Sequence, residues 1–233
     1  MNLKTLLKQA ASPRQYENFS DWNNKDVNNT IKNFWQTLKK YKFLFKNKKV
    51  LDIGAGNGWL LNTLRKNGAK ECFGVEPSQK SYNLALKLHP KLKLTNQTLQ
   101  KFKTKRKFDS VFLIMSASHF GKLNWMFKKV HTLLNPHGYL TLIIPGFNFF
   151  KEQRPEAKVH ITKINDDEYL AETNYMLGKI VDIVRKPEVY LKSANGYKLT
   201  IVTNILLSKS QSNQSEWKKF KNIPVAHLLI FKK

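Results

Sequence analysis

The run Val50-Leu51-Asp52-Ile53-Gly54-Ala55-Gly56-Asn57-Gly58-Trp59-Leu60-Leu61 constrains this chain more than any other stretch: an apolar strand, glycine at alternate positions, then the start of a helix. Without β-carbons the backbone can approach a ligand closely, and free N–H groups at a helix start attract an anionic group. The next strand-like run closes in Gly74-Val75-Glu76-Pro77, which puts a carboxylate about 20 residues on, where it can accept from both hydroxyls of a ribose. A nicotinamide or flavin fingerprint wants glycine where Trp59 stands, and the phosphate-binding lysine motif is absent. Dinucleotide binding is therefore the lesser reading.

Around this stretch, strand-like and helical patterns alternate. Strands are expected at Lys49–Ile53, Cys72–Val75, Leu92–Thr95, Ser110–Met115 and Tyr139–Ile144, and helices at Gly58–Lys66, Gln79–Leu88 and Leu123–Leu134. Such alternation indicates a parallel sheet wound with right-handed crossovers. Asn135-Pro136-His137-Gly138 reads as a turn. Upstream, Met1 to Ser12 reads as a short amphipathic helix, because Lys4 and Lys8 interrupt any signal-like apolar run. A second helix is expected from a cap at Ser20, with Val27, Ile31, Phe34, Trp35 and Leu38 on its apolar stripe.

From Phe147 to Lys186 the pattern changes to alternating apolar and polar residues, Val159 to Ile164 and Lys179 to Arg185, with a turn at Asn165-Asp166-Asp167. These are added antiparallel hairpins that could cap a pocket. Pro187 to Ala194 looks helical, Asn195-Gly196 turns the chain, and Tyr197–Leu207 with Val225–Phe231 supplies an edge hairpin beside the fifth parallel strand. The fold class is thus α/β: a Rossmann-like, seven-stranded, mostly parallel sheet with helices on both faces, an antiparallel C-terminal edge hairpin and a small cap insertion. At 233 residues one domain is expected: N-terminal helices (1–46), a cofactor-binding core (47–146), a substrate-cap insertion (147–186), and a last helix with C-terminal strands (187–233).

An acidic residue before alternating glycines, and a second strand ending in an acid, resembles the class I S-adenosylmethionine-dependent methyltransferases, above all their large group of small-molecule methyltransferases. The resemblance runs in order over residues 48 to 145, and the terminal hairpin suits it. It implies that Gly54, Ala55, Gly56, Asn57 and Gly58 hold the methionyl carboxylate, that Asp52 orients the ammonium end, and that Glu76, followed by Pro77, binds the ribose. Asn96-Gln97-Thr98-Leu99 stands where the family recognises adenine. No acidic side chain is present there, which leaves Gln97, Thr98 and the Leu99 backbone as substitutes. Ser116-Ala117-Ser118-His119 falls where the family places residues beside the sulfonium.

A sulfonium methyl is already activated, so the enzyme has mainly to align an acceptor and exclude water. A base helps when the acceptor is a hydroxyl or a protonated amine. No aspartate or glutamate lies between Asp109 and Glu152, so His119 is the candidate base in that loop, with capping or packing as its other role. Tyr169 and Tyr175 either line an acceptor pocket or pack the hairpins. The remaining histidines show no metal-ligand spacing with one another or with Cys72, and no metal is expected.

The formal charge of +25 favours a polyanion such as RNA, an anionic membrane or an anionic metabolite. Lys101, Lys103, Lys105, Arg106 and Lys107 form the densest basic run, and Lys39 to Lys49 a second. With only five arginines, diffuse attraction is favoured over base-edge readout. Three functions follow: methyl transfer to an O, N or C atom of a small molecule, methylation of RNA or ribosomes, or binding of the cofactor without turnover. Base-amino methyltransferases are disfavoured because no Asp/Asn-Pro-Pro-aromatic motif follows the fourth strand, and a cysteine nucleophile is missing there. No apolar run approaches the roughly 18 residues of a membrane span. The lone Cys72 excludes an internal disulfide and fits a reducing cytoplasm.

Overall fold

The computed structural model describes residues 2–17, 33–153, 157–175, 178–207 and 223–233. Its large sheet is built from β1 (Lys49–Ile53), β2 (Glu71–Val75), β3 (Lys93–Thr95), β4 (Phe108–Ile114), β5 (Leu134–Pro145), β9 (Thr200–Leu207) and β10 (Ala226–Lys232). Their order is β3-β2-β1-β4-β5-β10-β9. The first five run parallel, whereas β10 is antiparallel to both β5 and β9. This is the α/β sheet with the terminal hairpin that the sequence pattern implies.

Strand residues alternate between two apolar cores because successive side chains leave a strand on opposite faces. Leu51, Val111, Leu113, Leu229 and Phe231 pack on α4 (Leu123–Leu133) and α5 (Pro187–Asn195). Val50, Phe112, Ile143, Leu228 and Ile230 pack on α2 (Trp59–Lys66), joined by Phe34 and Leu38. Residues 33–38 are helical, which accords with the Phe34, Trp35 and Leu38 part of the expected second helix; Ser20, Val27 and Ile31 lie outside the described residues. The helix α3 (Gln79–Leu88) follows β2, and its cap Ser78 accepts from the Ser81 N–H.

Asn135 to Gly138 does not end the helix as a separate turn. Phe108 faces Leu134 while Ser110 already faces Tyr139, so the tetrad is extruded as a bulge inside β5, with His137 at φ +61°. Pairing with β4 on both sides of the bulge overrides the local turn preference.

A second sheet, β6-β7-β8, joins β6 (Lys158–Lys163), β7 (Glu168–Tyr175) and β8 (Gly178–Arg185), all antiparallel. One face, with Leu170, Val181 and Ile183, buries Leu6 and Ala10 of α1 (Leu3–Ala10). The other, with Tyr169, Ala171 and Val184, covers Phe149 and Phe150. Each large apolar side chain buried in this way contributes about 1.5–3 kcal/mol. The N-terminal helix is thereby fastened to the small sheet.

Candidate active site

Because β3, β2, β1 and β4 are parallel neighbours, the loops after them open on the same edge of the sheet, and the strand order reverses between β1 and β4. Ligands of open α/β sheets bind at such a switch point. Gly54, Ala55, Gly56, Asn57 and Gly58 leave β1 there, with φ of +77°, +54° and +75° at the three glycines. Two of them are closely packed: a β-carbon at Gly54 would lie 2.6 Å from the Ser116 Cβ, and one at Gly58 would lie 2.6 Å from Leu92 Cδ1. A β-carbon at Gly56 would meet nothing within 4 Å. The turn is held to β2 by the Gly54 and Ala55 N–H groups, both donating to Val75 O, and Asn57 Oδ1 accepts from the Trp59 N–H that opens α2.

Asp52 and Glu76 are 2% and 6% exposed, and among the described residues neither has a cationic partner within 4.0 Å. Burial, and then the charge of Glu76, pushes the Asp52 carboxyl up to about 7. Burial also raises Glu76, opposed by the N–H groups that it accepts: Ser78 at 2.8 Å and Gly56 at 2.7 Å. A pair of buried acids beside a turn with open space suits a ligand that brings positive charge. S-adenosylmethionine, with its ammonium and sulfonium, meets that requirement, and the residues present fit it.

Pro77 follows Glu76 half-buried, and Asn96 Nδ2 donates to Glu76 O at 2.9 Å, which ties the start of the Gln97-Thr98-Leu99 segment to the end of β2. Gln97 is exposed and Leu99 is buried, while Thr98 O accepts from the N–H groups of Lys101 and Phe102. On the other side, Ser116 Oγ donates to Ile53 O at 2.6 Å, locking the loop after β4 against the glycine turn.

His119 ends the short helix Ala117–His119. It is not an open base. Its Nδ1 lies 3.2 Å from Ala10 O, and its Nε2 is hydrogen-bonded to the Tyr16 hydroxyl. Gln15 Nε2, 3.4 Å from His119 Nδ1, has Ala10 O and Val181 O as acceptors for its hydrogens, and Ala10 O can only accept, so the contacts are satisfied together with the proton on His119 Nδ1, the lone pair on its Nε2 and Tyr16 as the donor. Burial lowers the His119 pKa, an effect opposed by Asp182, whose Oδ1 is 3.7 Å from Nε2 and accepts from Ser118 Oγ at 2.8 Å. Burial first, then the charges of Asp182 and Glu76, raises the Tyr16 phenol well above its usual value.

Gln15, Tyr16 and Glu17 each reach a different wall of this site. Gln15 Oε1 accepts from the Val181 N–H at 2.9 Å, and Glu17 Oε1 accepts from Ser78 Oγ at 3.1 Å. Sequence reading missed Gln15, Tyr16, Glu17 and Asp182. Nothing local marked them, because they join His119 only through contacts between distant parts of the chain. Among the described residues no group of three or more His, Cys, Asp or Glu could hold a metal.

The sheet order, the terminal antiparallel pair and the glycine turn facing paired carboxylates define a class I S-adenosylmethionine-dependent methyltransferase. Residues 24–173 match the family model described as a methyltransferase domain, and the chain belongs to that family. It is 26% identical over 191 residues to the ubiquinone biosynthesis O-methyltransferase of Pelagibacter ubique, covering 76% of this chain and 75% of that one. In fold it is similar to a protein of Pyrococcus horikoshii (TM-score 0.72, 21% identity, 91% and 93% of the two chains). It is likewise similar to an S-adenosylmethionine-dependent methyltransferase of Mesorhizobium loti (TM-score 0.68, 15% identity, 86% and 98%).

Proposed function

We propose that this methyltransferase acts on a small molecule, transferring the methyl group to an O, N or C atom, with a hydroxyl oxygen as the first choice. The observation that carries the reading is the roof over His119. Tyr16 and Gln15 from the N-terminal segment and Asp182 from β8 close over the loop after β4, a cover that favours a compact acceptor over a folded polymer. The relative named as an O-methyltransferase supports oxygen.

In this reading Gly54, Ala55, Gly56, Asn57 and Gly58 hold the methionyl carboxylate through backbone N–H groups, and Asp52 takes the ammonium. Glu76 and Pro77 take the ribose, Gln97, Thr98 and Leu99 the adenine, and Ser116 flanks the sulfonium. S-adenosylmethionine supplies a methyl group that needs only alignment and the exclusion of water. Residues 147–186 act as the cap that shapes the acceptor site, and the buried lone Cys72 supports a reducing cytoplasm.

An RNA-directed reading draws on the charge of +25. Lys46, Lys70 and Lys105, however, precede parallel strands, so they lie on the edge of the sheet opposite the glycine turn. Polyanion attraction there delivers no acceptor to the site. The test is transfer of labelled methyl from S-adenosylmethionine into a cell extract, with mass analysis of the product. A labelled small molecule is expected, and label found only in RNA would overturn the reading.

A further inference from the structure

We propose that Tyr16 is the residue that meets the acceptor's hydroxyl, and that it hands its own proton to His119 while Asp182 steadies the charge His119 gains. The proposal rests on the small-molecule reading above and narrows its acceptor to an aromatic hydroxyl.

Three observations carry it. First, both ring nitrogens of His119 are engaged, Nδ1 by Ala10 O and Nε2 by the Tyr16 hydroxyl, so the imidazole reaches the acceptor only through Tyr16. Second, the phenol donates its proton to Nε2, which leaves the lone pairs of its oxygen to accept from another hydroxyl. The Tyr16 and His119 rings meet edge to face, with centroids 5.1 Å apart. Third, the residues on either side of Tyr16 tie it between the end of β2 and the small sheet: Glu17 Oε1 accepts from Ser78 Oγ at 3.1 Å, and Gln15 Oε1 from the Val181 N–H at 2.9 Å. Gln15 fixes the turn Pro13–Tyr16 to the Val181 backbone, so the phenol is supplied by a held segment.

The step balances. The acceptor O–H proton passes to the Tyr16 oxygen as the Tyr16 proton passes to His119 Nε2. The acceptor oxygen forms its bond to the methyl carbon while the carbon–sulfur bond breaks, its electron pair staying on sulfur. One proton remains on His119 and leaves to solvent with product release. The resulting imidazolium has Asp182 Oδ1 3.7 Å from Nε2. A neutral imidazole is matched more closely to a phenol of acidity near that of tyrosine, pKa about 10, than to the far less acidic aliphatic alcohols, when the transfer accompanies attack.

Three measurements test this. Calorimetry with S-adenosylhomocysteine comes first: binding by wild type and by Tyr16→Phe establishes that each protein is folded and loaded, whereas failure of the wild type to bind sinks the methyltransferase reading itself. Turnover is then compared with 4-methylphenol, which must lose a proton, and with 4-nitrophenol at a pH where it is already ionised. Tyr16→Phe is expected to lose about 100-fold with the first and less than about fivefold with the second. Asp182→Asn should show the same split, more weakly, with a shifted pH profile. Equal losses with both phenols, or none, overturn the relay. A wild type that methylates neither phenol but does methylate an amine overturns the hydroxyl acceptor and keeps the wider function.

Independently of any acceptor, nitrogen-15 NMR of histidine-labelled protein saturated with S-adenosylhomocysteine should give a protonated Nδ1 and a hydrogen-bonded, unprotonated Nε2 for His119. The Nε2 signal should move to that of a free imine nitrogen in Tyr16→Phe. A proton on Nε2, or no change in the variant, overturns the proposal.

Discussion

The backbone N–H of Gly56 donates to Oε2 of Glu76 at 2.7 Å, so the middle of the glycine turn and the end of β2 form one unit. The other carboxylate oxygen accepts from the Ser78 N–H at 2.8 Å. Glu76 therefore shapes the turn as well as facing the ligand. In Glu76→Gln the amide nitrogen must confront one of these two donors, and the charge is lost. Affinity for S-adenosylhomocysteine should fall by about 2–3 kcal/mol, or roughly 30- to 150-fold. Unchanged affinity by calorimetry would remove Glu76 from the ligand site.

The glycines of the turn separate packing from binding. Gly54→Ala brings a β-carbon to 2.6 Å from the Ser116 Cβ at a φ of +77°, so strain and overlap combine. A stability loss of roughly 2–4 kcal/mol is expected in urea denaturation. Gly56→Ala meets nothing within 4 Å, so only the left-handed backbone is penalised, by about 1–2 kcal/mol. Its cofactor affinity should nevertheless drop more than about tenfold, since the added methyl occupies the space a ligand would approach through. If Gly56→Ala binds normally, that open space is not part of the site.

Asp52 makes both stability and binding depend on pH. Its carboxyl stands at about 7 in the fold against 3.8 for the ordinary group, so the folded state holds a proton that the unfolded chain releases. The corresponding stability is complete below the lower value and is lost as pH rises through the upper one, to an extent of roughly 4 kcal/mol. A cationic ligand favours the ionised form, so affinity for S-adenosylmethionine should climb between about pH 6 and about pH 8. Asp52→Asn should flatten both profiles. A wild-type denaturation profile that is already flat would show that Asp52 ionises freely.

Much of the fold was legible because its local signals agree. Lys49–Ile53 and Gln79–Leu88 begin and end as the pattern of apolar residues requires. The glycine turn and Glu76 could be placed for the same reason, being fixed by strand ends and by backbone conformations that glycine tolerates. The Asn135–Gly138 bulge was not legible, since its turn chemistry is genuine but pairing with β4 decides its form. Tyr16 and Asp182 left no trace either. Tyr16 sits in a turn without periodicity, and Asp182 interrupts an apolar strand as any outward polar residue would. Only the docking of α1 on the small sheet brings them to His119.

The excess of positive charge predicts a separable, non-specific affinity. Asp109 is the one acid between Pro77 and Lys151, and its side chain is engaged by the Lys49 N–H and by Asn135. The exposed Lys46, Lys70 and Lys105 stand before β1, β2 and β4, which are neighbours in the sheet, so they share one edge, where the acid Glu71 is already paired with Lys49 and Arg106. Single-stranded RNA should bind there with a steep dependence on salt, each phosphate contact contributing about 0.7 to the logarithmic slope. Replacing all three lysines by glutamine should reduce that slope by roughly 2, whatever the RNA sequence. Affinity for S-adenosylhomocysteine should not change, because the glycine turn opens on the opposite edge. A salt slope unaltered in the triple variant would place the polyanion contact elsewhere on the protein, and a parallel loss of cofactor binding would mean that the two edges are coupled.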